Sequence, residues 1–302
     1  MTVESVGSVV GLWRFPVKSM GGERLEQAEI TARGLVGDRA YALIDLDTGK
    51  VASAKSVRLF PDLLGCRAAF VEPPRSDREL PSVRITLPGG TSVTSDSGDV
   101  DRVLSAYFRR DVILARAAPD DFTIDMYHPD LEDLDHRDTV VEQKLGSAFF
   151  AEAGLASPVP VGSFFDLFPV TVLTTSTLER LSELRSESRF DQRRFRMNVI
   201  VGTEQPGFVE NDWVGRNLLI GDAVELSVEL PDPRCVMTTL AQDELPRDTD
   251  VLRALIQHNR IQVGDSGRYP CVGVYAVVDE PGTVQTGDDV GLAWSSGGFP
   301  GP

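Results

Sequence analysis

One cysteine stands apart from the other two in this chain of 302 residues. Cys235 follows a stiff, polar approach in "LPDPRCVMTTL", where two prolines restrict the backbone. Cys66 and Cys271 lie instead in apolar runs typical of strands, where a thiol packs as a small hydrophobic group. The sequence therefore predicts that Cys235 is presented for chemistry and that the other two cysteines are structural.

Several cationic and hydroxyl side chains lie where an anion could be held. A lysine and a serine precede a glycine pair in "KSMGGERL", and two hydroxyls lie at the start of a predicted helix, where free N–H groups favour phosphate. An ordinary surface ion pair explains any one of the cations taken alone. The set comprises Lys18, Ser19, Arg39, Thr175, Ser176, Arg194 and Arg196. Because Arg194 and Arg196 flank one residue before the strand "MNVIV", they are expected to point to the same side.

The charge balance limits the partners of this chain. Lys and Arg number 30 against 46 Asp and Glu, a net charge of −16, so we expect neither nucleic acid nor an anionic membrane as a partner. An anionic ligand must then be held by a few cations in a pocket. No apolar run is long enough to span a bilayer, and the start lacks the features of a secretory signal. Three cysteines without a CxxC spacing favour a reducing, cytoplasmic location.

Other motifs are better explained as structure than as chemistry. "GDSG" at 264–267 surrounds Ser266 as in trypsin-like proteases, but no histidine has a fitting context, so a tight turn is favoured. Neither GxGxxG nor a Walker sequence is present, which argues against common nucleotide sites. The acidic stretch 117–136 contains His128 and His136, yet it lacks the spacing of known metal motifs. We interpret it as a solvated acidic excursion or linker.

The pattern of apolar residues predicts a mainly β protein with helices, of the α+β class. The first ~115 residues read as short strands with one helix around Val100–Phe108, consistent with a small barrel or sandwich. In the second half "FPVTVLT" predicts a buried strand, and Ser176 with Glu179 predicts a capping box that opens a helix. A second helix is predicted at "TDVLRALIQHN", with Asn259 as its C-terminal cap.

Several motifs in the same order along nearly the whole chain resemble the MOSC family, named for the C-terminal domain of molybdenum cofactor sulfurase. They are "FPVKSMGGERLEQAEITARGLVGDRAYALID", "RRFRMNVIV", "NLLIGDAVELSV", "DPRCVMTTL" and "VGVYAVVDEPGTVQTGDDV". The resemblance implies a MOSC N-terminal β-barrel-like domain followed by a MOSC β-barrel domain. The boundaries that we predict are 1–116 for the first domain, 117–162 for the acidic excursion, 163–294 for the MOSC domain and 295–302 for a disordered tail.

The resemblance also implies a cofactor and the residues that hold it. The cofactor is the molybdenum cofactor, in which a pterin dithiolene carries the metal, and Cys235 corresponds to the metal-ligating cysteine. The pterin and its phosphate are implied to contact Lys18, Ser19, Arg39, Thr175, Ser176, Arg196, Asn198 and Tyr275. Pro233 departs from the family pattern, where a small polar residue is common. A soft metal suits a thiolate ligand, and a doubly charged phosphate suits clustered cations in an acidic protein.

By resemblance, the activity is a two-electron reduction of N-hydroxylated compounds such as amidoximes, hydroxylamines and N-hydroxylated bases. No flavin, haem or iron–sulfur motif is evident, so electrons are expected from a separate donor protein: a ferredoxin, a flavin reductase or a b-type cytochrome. A monomer is expected. Two alternatives remain open at this stage. The protein could transfer sulfur or handle the cofactor through a persulfide on Cys235, or it could be a non-catalytic barrel in which Cys235 is a strand residue.

Overall fold

The computed structural model describes residues 2–128 and 139–294. The strands are β1 (Glu4–Arg14), β2 (Glu23–Leu25), β3 (Gln27–Thr31), β4 (Gly34–Leu35), β5 (Ala42–Asp45), β6 (Arg67–Phe70), β7 (Val83–Thr86), β8 (Ser92–Thr94), β9 (Val112–Ala115), β10 (Thr123–His128), β11 (Thr139–Lys144), β12 (Val170–Thr174), β13 (Val199–Gly202), β14 (Arg216–Ile220), β15 (Val224–Pro233), β16 (Arg260–Gln262), β17 (Arg268–Glu280), β18 (Gly282–Gln285) and β19 (Asp289–Trp294). The helices are α1 (Val100–Phe108), α2 (Ser147–Glu152), α3 (Thr175–Leu184) and α4 (Asp250–His258). The predicted class, mainly β with helices, is confirmed.

Seven strands close into a barrel in the order β12-β13-β1-β19-β14-β15-β17, and β17 pairs back onto β12. Strands β12 and β13 run parallel, whereas the other neighbours in the ring are antiparallel. Closure removes the exposed edges that an open sheet would present. All five residues of β12 are buried, as the unbroken apolar sequence predicts.

The first strand of the chain completes this barrel. β1 pairs with β13 on one side and with β19 on the other, and each pairing is interrupted by a bulge. Its Val9 and Leu12 join a core to which β3 and β4 also contribute and whose other members come from the second half of the chain. The barrel therefore depends on contacts between the two ends of the sequence, and the residues after β1 emerge beside β12 and β13.

Strands β5 to β9 of the first half form smaller sheets, most of whose apolar residues belong to a separate core. β6, β7 and β8 make a three-stranded sheet, and β5 pairs with β9. The amphipathic helix α1 packs its apolar face onto this core, with Leu104 fully buried, as its spacing predicts. A second contact joins the halves of the chain, because β3 pairs with β18.

The two longer helices of the second half cover one side of the barrel. α4 buries Val251, Leu252 and Leu255 in a core shared with α3, and Asn259 follows its last turn as predicted. The predicted cap of α3 was wrong by two residues. Thr174 is the N-cap, since its side chain accepts a hydrogen bond from the Thr177 N–H at 3.2 Å.

Two motifs were considered for chemistry. "GDSG" forms a turn, and the histidine-containing stretch belongs to the acidic excursion. Residues 264–267 connect β16 to β17, and Val263 donates its N–H to the Gly267 carbonyl at 2.9 Å, which supports the turn interpretation of "GDSG". In the acidic excursion, β10 pairs with β11, while His136 and the acidic residues 130–135 lie outside the described residues. Within 2–128 and 139–294 no cluster of three metal-ligating side chains occurs. No helix in these ranges has the length and apolar character required to cross a membrane.

Candidate functional site

Two lysines and one aspartate form a partly buried ionic bridge at the base of the site. Lys18 precedes the glycine pair of "KSMGGERL". Its ammonium group contacts Asp166 and donates to the Phe164 carbonyl at 2.9 Å. The other carboxylate oxygen of Asp166 lies 2.6 Å from Nζ of Lys55. Burial, reinforced by Lys55, lowers the pKa of Lys18 to about 8 although Asp166 opposes the shift. The two ammonium groups are therefore held close together with only one anion between them.

Two arginines pack against one aromatic ring beside this bridge. The guanidinium carbons of Arg39 and Arg196 lie 4.6 and 4.3 Å from the ring centroid of Phe15. Arg39 pairs with the buried carboxylate of Asp38 and donates to the backbone carbonyl of Arg196 at 3.0 Å. Arg196 donates to the Met20 carbonyl and has no ion pair among the described residues. Burial and the neighbouring Arg39 lower the pKa of Arg196 to about 9.

Three of the predicted site residues share an uncommon backbone conformation. Ser19, Arg39 and Arg196 have φ of 64°, 48° and 56°, in the left-handed region that side chains other than glycine rarely occupy. Among the described residues, only Arg109 and Asp243 besides these have a non-glycine side chain at positive φ. Such conformations persist where the surroundings impose them, and they concentrate at ligand sites. The backbone is strained at the residues that carry the cations and the hydroxyl.

Asn198 ties the arginine pair to the barrel wall. Its side-chain amide donates to Asp38 at 2.9 Å, and its carbonyl oxygen accepts from the Thr171 hydroxyl at 2.9 Å. Asp38 in turn accepts from the Phe15 N–H at 2.7 Å. Asn198 is 1% exposed, so its contribution is to hold Asp38, and through it Arg39, in position.

The cluster carries more positive than negative charge. Within the described chain, Lys18, Lys55, Arg39 and Arg196 are accompanied by the two carboxylates of Asp38 and Asp166. The excess of two positive charges lies in a largely buried setting, where unpaired charge is costly. Because burial makes a positive charge costly, it also lowers the pKa values of Lys18 and Arg196. A dianion such as a phosphate monoester would offset both charges.

Cys235 lies at the start of a short 3-10 turn, and hydrogen bonds from Arg194 and Arg234 to backbone carbonyls anchor this part of the chain. Residues Val236–Thr239 form the turn, and the Cys235 carbonyl accepts from the Thr238 N–H at 3.2 Å. Arg194 is 2% exposed and donates to the carbonyl of residue 238 in this turn and to those of residues 240 and 246 that follow it, at 2.8 to 3.2 Å. Arg234 donates to the Phe195 and Val272 carbonyls. The half-buried thiol is thus presented by a fixed backbone.

Cys235 lies beside the ionic bridge formed by Lys18, Asp166 and Lys55. Burial opposes protonation of Lys55, but the charges of Asp166 and Cys235 outweigh it and raise the pKa of this lysine. Tyr275 stacks on Phe168, with ring centroids 5.0 Å apart, and burial together with the charge of Asp232 raises the pKa of its hydroxyl well above the usual value. The structure therefore brings together Lys18, Ser19, Arg39, Arg196, Asn198, Cys235 and Tyr275 around one location.

Two predicted hydroxyls lie elsewhere. Ser176 bonds to the Thr203 side chain at 2.6 Å, and the Thr175 oxygen accepts from the Thr203 N–H at 3.3 Å. They follow β12 at its far end, whereas Thr171, which contacts Asn198, lies near its start. Four residues of extended strand span about 13 Å. The structure does not bring Thr175 and Ser176 to the cluster.

The expectation for the two arginines around Phe195 was wrong. The chain forms a 3-10 turn at Gln192–Arg194 and passes through left-handed Arg196 before β13 begins. Strand alternation therefore does not apply at these positions. Arg194 points behind the Cys235 turn, while Arg196 faces Phe15 and the site.

Sequence reasoning missed four residues of the site: Phe15, Asp38, Lys55 and Asp166. Phe15 and Asp38 lie within the first motif that resembles the MOSC family, and Asp38 directly precedes Arg39. Asp166 is the one acid within the aromatic run "SFFDLFP". An acid among aromatics just before a buried strand is a usable signal, because such a carboxylate needs a cationic partner. Lys55 in "ASAKSV" offers no local signal, since only the tertiary fold brings it to Asp166.

Cys66 and Cys271 are expected to be dispensable for the site. Both are fully buried, and burial raises the pKa of each thiol to about 12. Replacing either with Ala should leave bound metal unchanged and cost about 1 kcal/mol of stability, as small core truncations do. Metal analysis and thermal unfolding of the two variants test this. Loss of metal from a variant that melts near the wild type would contradict the structural role.

Comparison with known families agrees with the architecture. A model of the MOSC N-terminal beta barrel domain matches residues 6–120, and a model of the MOSC domain matches residues 162–291. The chain therefore belongs to the MOSC-domain proteins.

Its curated relatives are distant in sequence but similar in extent. Mitochondrial amidoxime-reducing component 1 of Homo sapiens is 24% identical, with 96% of this chain and 84% of that protein covered. The component 1 of Mus musculus is 25% identical, covering 96% and 83%. Mitochondrial amidoxime reducing component 2 of Bos taurus is 27% identical, covering 95% and 84%.

Proposed function

We propose that this protein is a molybdenum-cofactor-dependent oxidoreductase that reduces N-hydroxylated compounds. The observation that carries the proposal is the pairing of an unbalanced cationic cluster with a presented thiol. Lys18, Lys55, Arg39 and Arg196 carry two more positive charges than Asp38 and Asp166 offset, and Cys235 lies on the adjoining turn. Names of the distant relatives, which are amidoxime-reducing components, support the choice of substrate class.

The residues present fit the cofactor. A phosphate dianion at the cluster would neutralise the excess charge and relieve the strain of crowding two guanidinium groups on Phe15. The Cys235 thiolate is a soft ligand suited to a metal already held by sulfur. Arg39 and Arg196 would hold the phosphate of the cofactor, and Cys235 would hold its metal.

The chain's own residues would bind the cofactor and hold its thiolate ligand in position. When bound, the cofactor supplies the two electrons and the oxygen-accepting metal. Arg194 and Arg234 keep the Cys235 turn fixed, so little entropy is lost when the thiolate binds. Phe165 and Phe168 belong to an aromatic cluster with Tyr275, which limits access of water on that side. Electrons would come from a separate donor protein.

The test is the reduction of an aromatic amidoxime by the purified, cofactor-loaded protein, with a reduced viologen dye as electron source. We expect one amidine formed for every two electrons consumed, and no product from Cys235→Ala. Arg180→Glu, on the exposed face of α3, serves as a control that should retain the rate. A protein that contains molybdenum but reduces neither amidoximes nor hydroxylamines would refute the reductase proposal. Assay of Cys235 for a persulfide would then address sulfur transfer.

A further inference from the structure

The guanidinium group of Arg234 joins separate segments of the chain. Its Nη1 donates to the Phe195 carbonyl at 2.9 Å, and its Nε and Nη2 lie 2.9 and 2.7 Å from the Val272 carbonyl oxygen. The Arg234 backbone N–H donates to the Pro270 carbonyl at 2.7 Å. Because Cys235 is the next residue, the thiol is attached to a point that is fixed both by β17 and by the turn before β13.

The turn that Arg234 reaches carries one of the cations of the site. This turn, residues 192–197, is called the Arg196 turn below. Arg234 contacts both neighbours of Arg196, because its guanidinium carbon lies 5.9 Å from the ring centroid of Phe195 and its Nη2 lies 2.7 Å from Sδ of Met197. Arg196 itself has φ of 56°, a conformation that its surroundings must impose. Arg234 therefore holds the backbone on either side of this strained residue.

Strand β17 contacts the same turn at a glycine. Gly273 has φ of 74°, and a Cβ atom added there would lie 2.1 Å from Cε of Met197. The close approach of the Arg196 turn to β17 therefore requires glycine at this position. The Gly273 N–H is anchored in turn, because it donates to the buried carboxylate of Glu210 at 3.2 Å. A shift of the turn along β17 would disturb both the Met197 contact and the hydrogen bonds of Arg234.

Arg194 makes the reciprocal connection. It belongs to the Arg196 turn and donates to backbone carbonyls that follow Cys235, whereas Arg234 precedes Cys235 and donates to the turn. Asp232 lies 2.6 Å from Nη2 of Arg234, and the two side chains are 4% and 11% exposed. This carboxylate offsets the charge of Arg234 and helps to fix its orientation. The guanidinium is thus committed to protein groups, which leaves it a role in positioning.

We propose that Arg234 is a positioning residue that couples the Arg196 turn to the Cys235 segment, residues 232–240. The inference rests on the proposed function, in which Arg196 would hold the phosphate and Cys235 would be the metal ligand. Through Arg234, a displacement of either segment moves the other, so the thiolate keeps a fixed place relative to the phosphate-binding cation. A lysine would retain the charge but lose the planar fork that reaches two carbonyls and a carboxylate together.

The coupling can be measured in the cofactor-free protein by amide hydrogen exchange. In Arg234→Lys, amides of both 195–198 and 235–240 should exchange at least about tenfold faster, because each segment loses its tie to the other. Amides of α1 should be unaffected. Arg253→Lys makes the same chemical change on the exposed face of α4 and should exchange like the wild type. Faster exchange confined to 235–240, or absent from both segments, would overturn the coupling.

A second variant covers the case in which Arg234→Lys does not fold. Asp232→Asn keeps the arginine but removes its ion pair, so it should accelerate exchange in the same two segments to a smaller extent. Wild-type exchange in both segments of this variant would count against the proposal in the same way.

The cofactor-loaded protein separates positioning from stability. Arg234→Lys should keep most of its molybdenum, because Cys235 and Arg196 are unchanged, while kcat per bound metal falls about tenfold with KM unchanged. The electron paramagnetic resonance spectrum of the partly reduced metal should also shift. A lower melting temperature with wild-type kcat per metal and an unchanged spectrum would overturn the positioning role. A wild type without molybdenum would refute the proposed function instead, and the exchange experiment would still decide whether Arg234 couples the two segments.

Discussion

Replacing Arg196 with Glu is expected to abolish retention of the cofactor. The wild-type guanidinium is the cation without an ion pair in the described cluster, and burial next to Arg39 lowers its pKa to about 9. An anionic ligand would remove that penalty, whereas a carboxylate at this position would repel the ligand. Loss of one buried charge partner costs on the order of 3 kcal/mol, and charge reversal costs more, so affinity should fall by more than about 100-fold.

Pterin and molybdenum contents of purified Arg196→Glu would measure this effect, with thermal unfolding as the check on folding. Arg180→Glu makes the same change in net charge at an exposed position on α3 and should retain full cofactor. Arg196→Met removes the positive charge without reversing it. This variant tests the role of Arg196 even if the carboxylate in Arg196→Glu disturbs the ion pair of Arg39 and Asp38. Wild-type cofactor content in folded Arg196→Glu would rule out a role for this residue in holding the phosphate.

Replacing Cys235 with Ala is expected to remove molybdenum while leaving the fold intact. The thiol lies at the start of a turn whose backbone is held by Arg194 and Arg234, and its own side chain accounts for none of those hydrogen bonds. Its removal should therefore cost little stability. Without the thiolate the metal loses its protein ligand, so the molybdenum content should drop by at least about tenfold.

The matched control is Cys66→Ala, which removes a thiol of the same size from the first-half core. It should keep the wild-type molybdenum content. If Cys235→Ala and Cys66→Ala retained the metal equally, the site would have to lie elsewhere, and the presentation of Cys235 would need another explanation.

The sequence predicted those parts of the fold and site that depend on local patterns. The buried strand before α3, the amphipathic helices α1 and α4, and the turn at 264–267 each have a local signal that tertiary contacts did not override. The predicted cap of α3 failed because Ser176 bonds to Thr203 across the barrel end, which leaves Thr174 to cap the helix. Position within the tertiary fold decided between two plausible hydroxyls.

The site was predictable where residue type alone indicates chemistry, and not where its geometry arises from distant contacts. A cysteine after prolines and a lysine before glycines can be read from the chain. The bridge from Lys18 through Asp166 to Lys55 joins three separate segments, and the shared ring of Phe15 depends on left-handed turns at Arg39 and Arg196. Neither feature has a periodic or compositional signature.

The most direct measurement is the amount of molybdenum and pterin in the wild-type protein purified from a host that makes the cofactor. Plasma mass spectrometry for the metal and fluorescence of the oxidised pterin give the two values independently. Our account predicts close to one of each per chain. A folded protein that contains neither, from a host shown to load another molybdenum enzyme, would contradict the claim that the cationic cluster and Cys235 form a cofactor site.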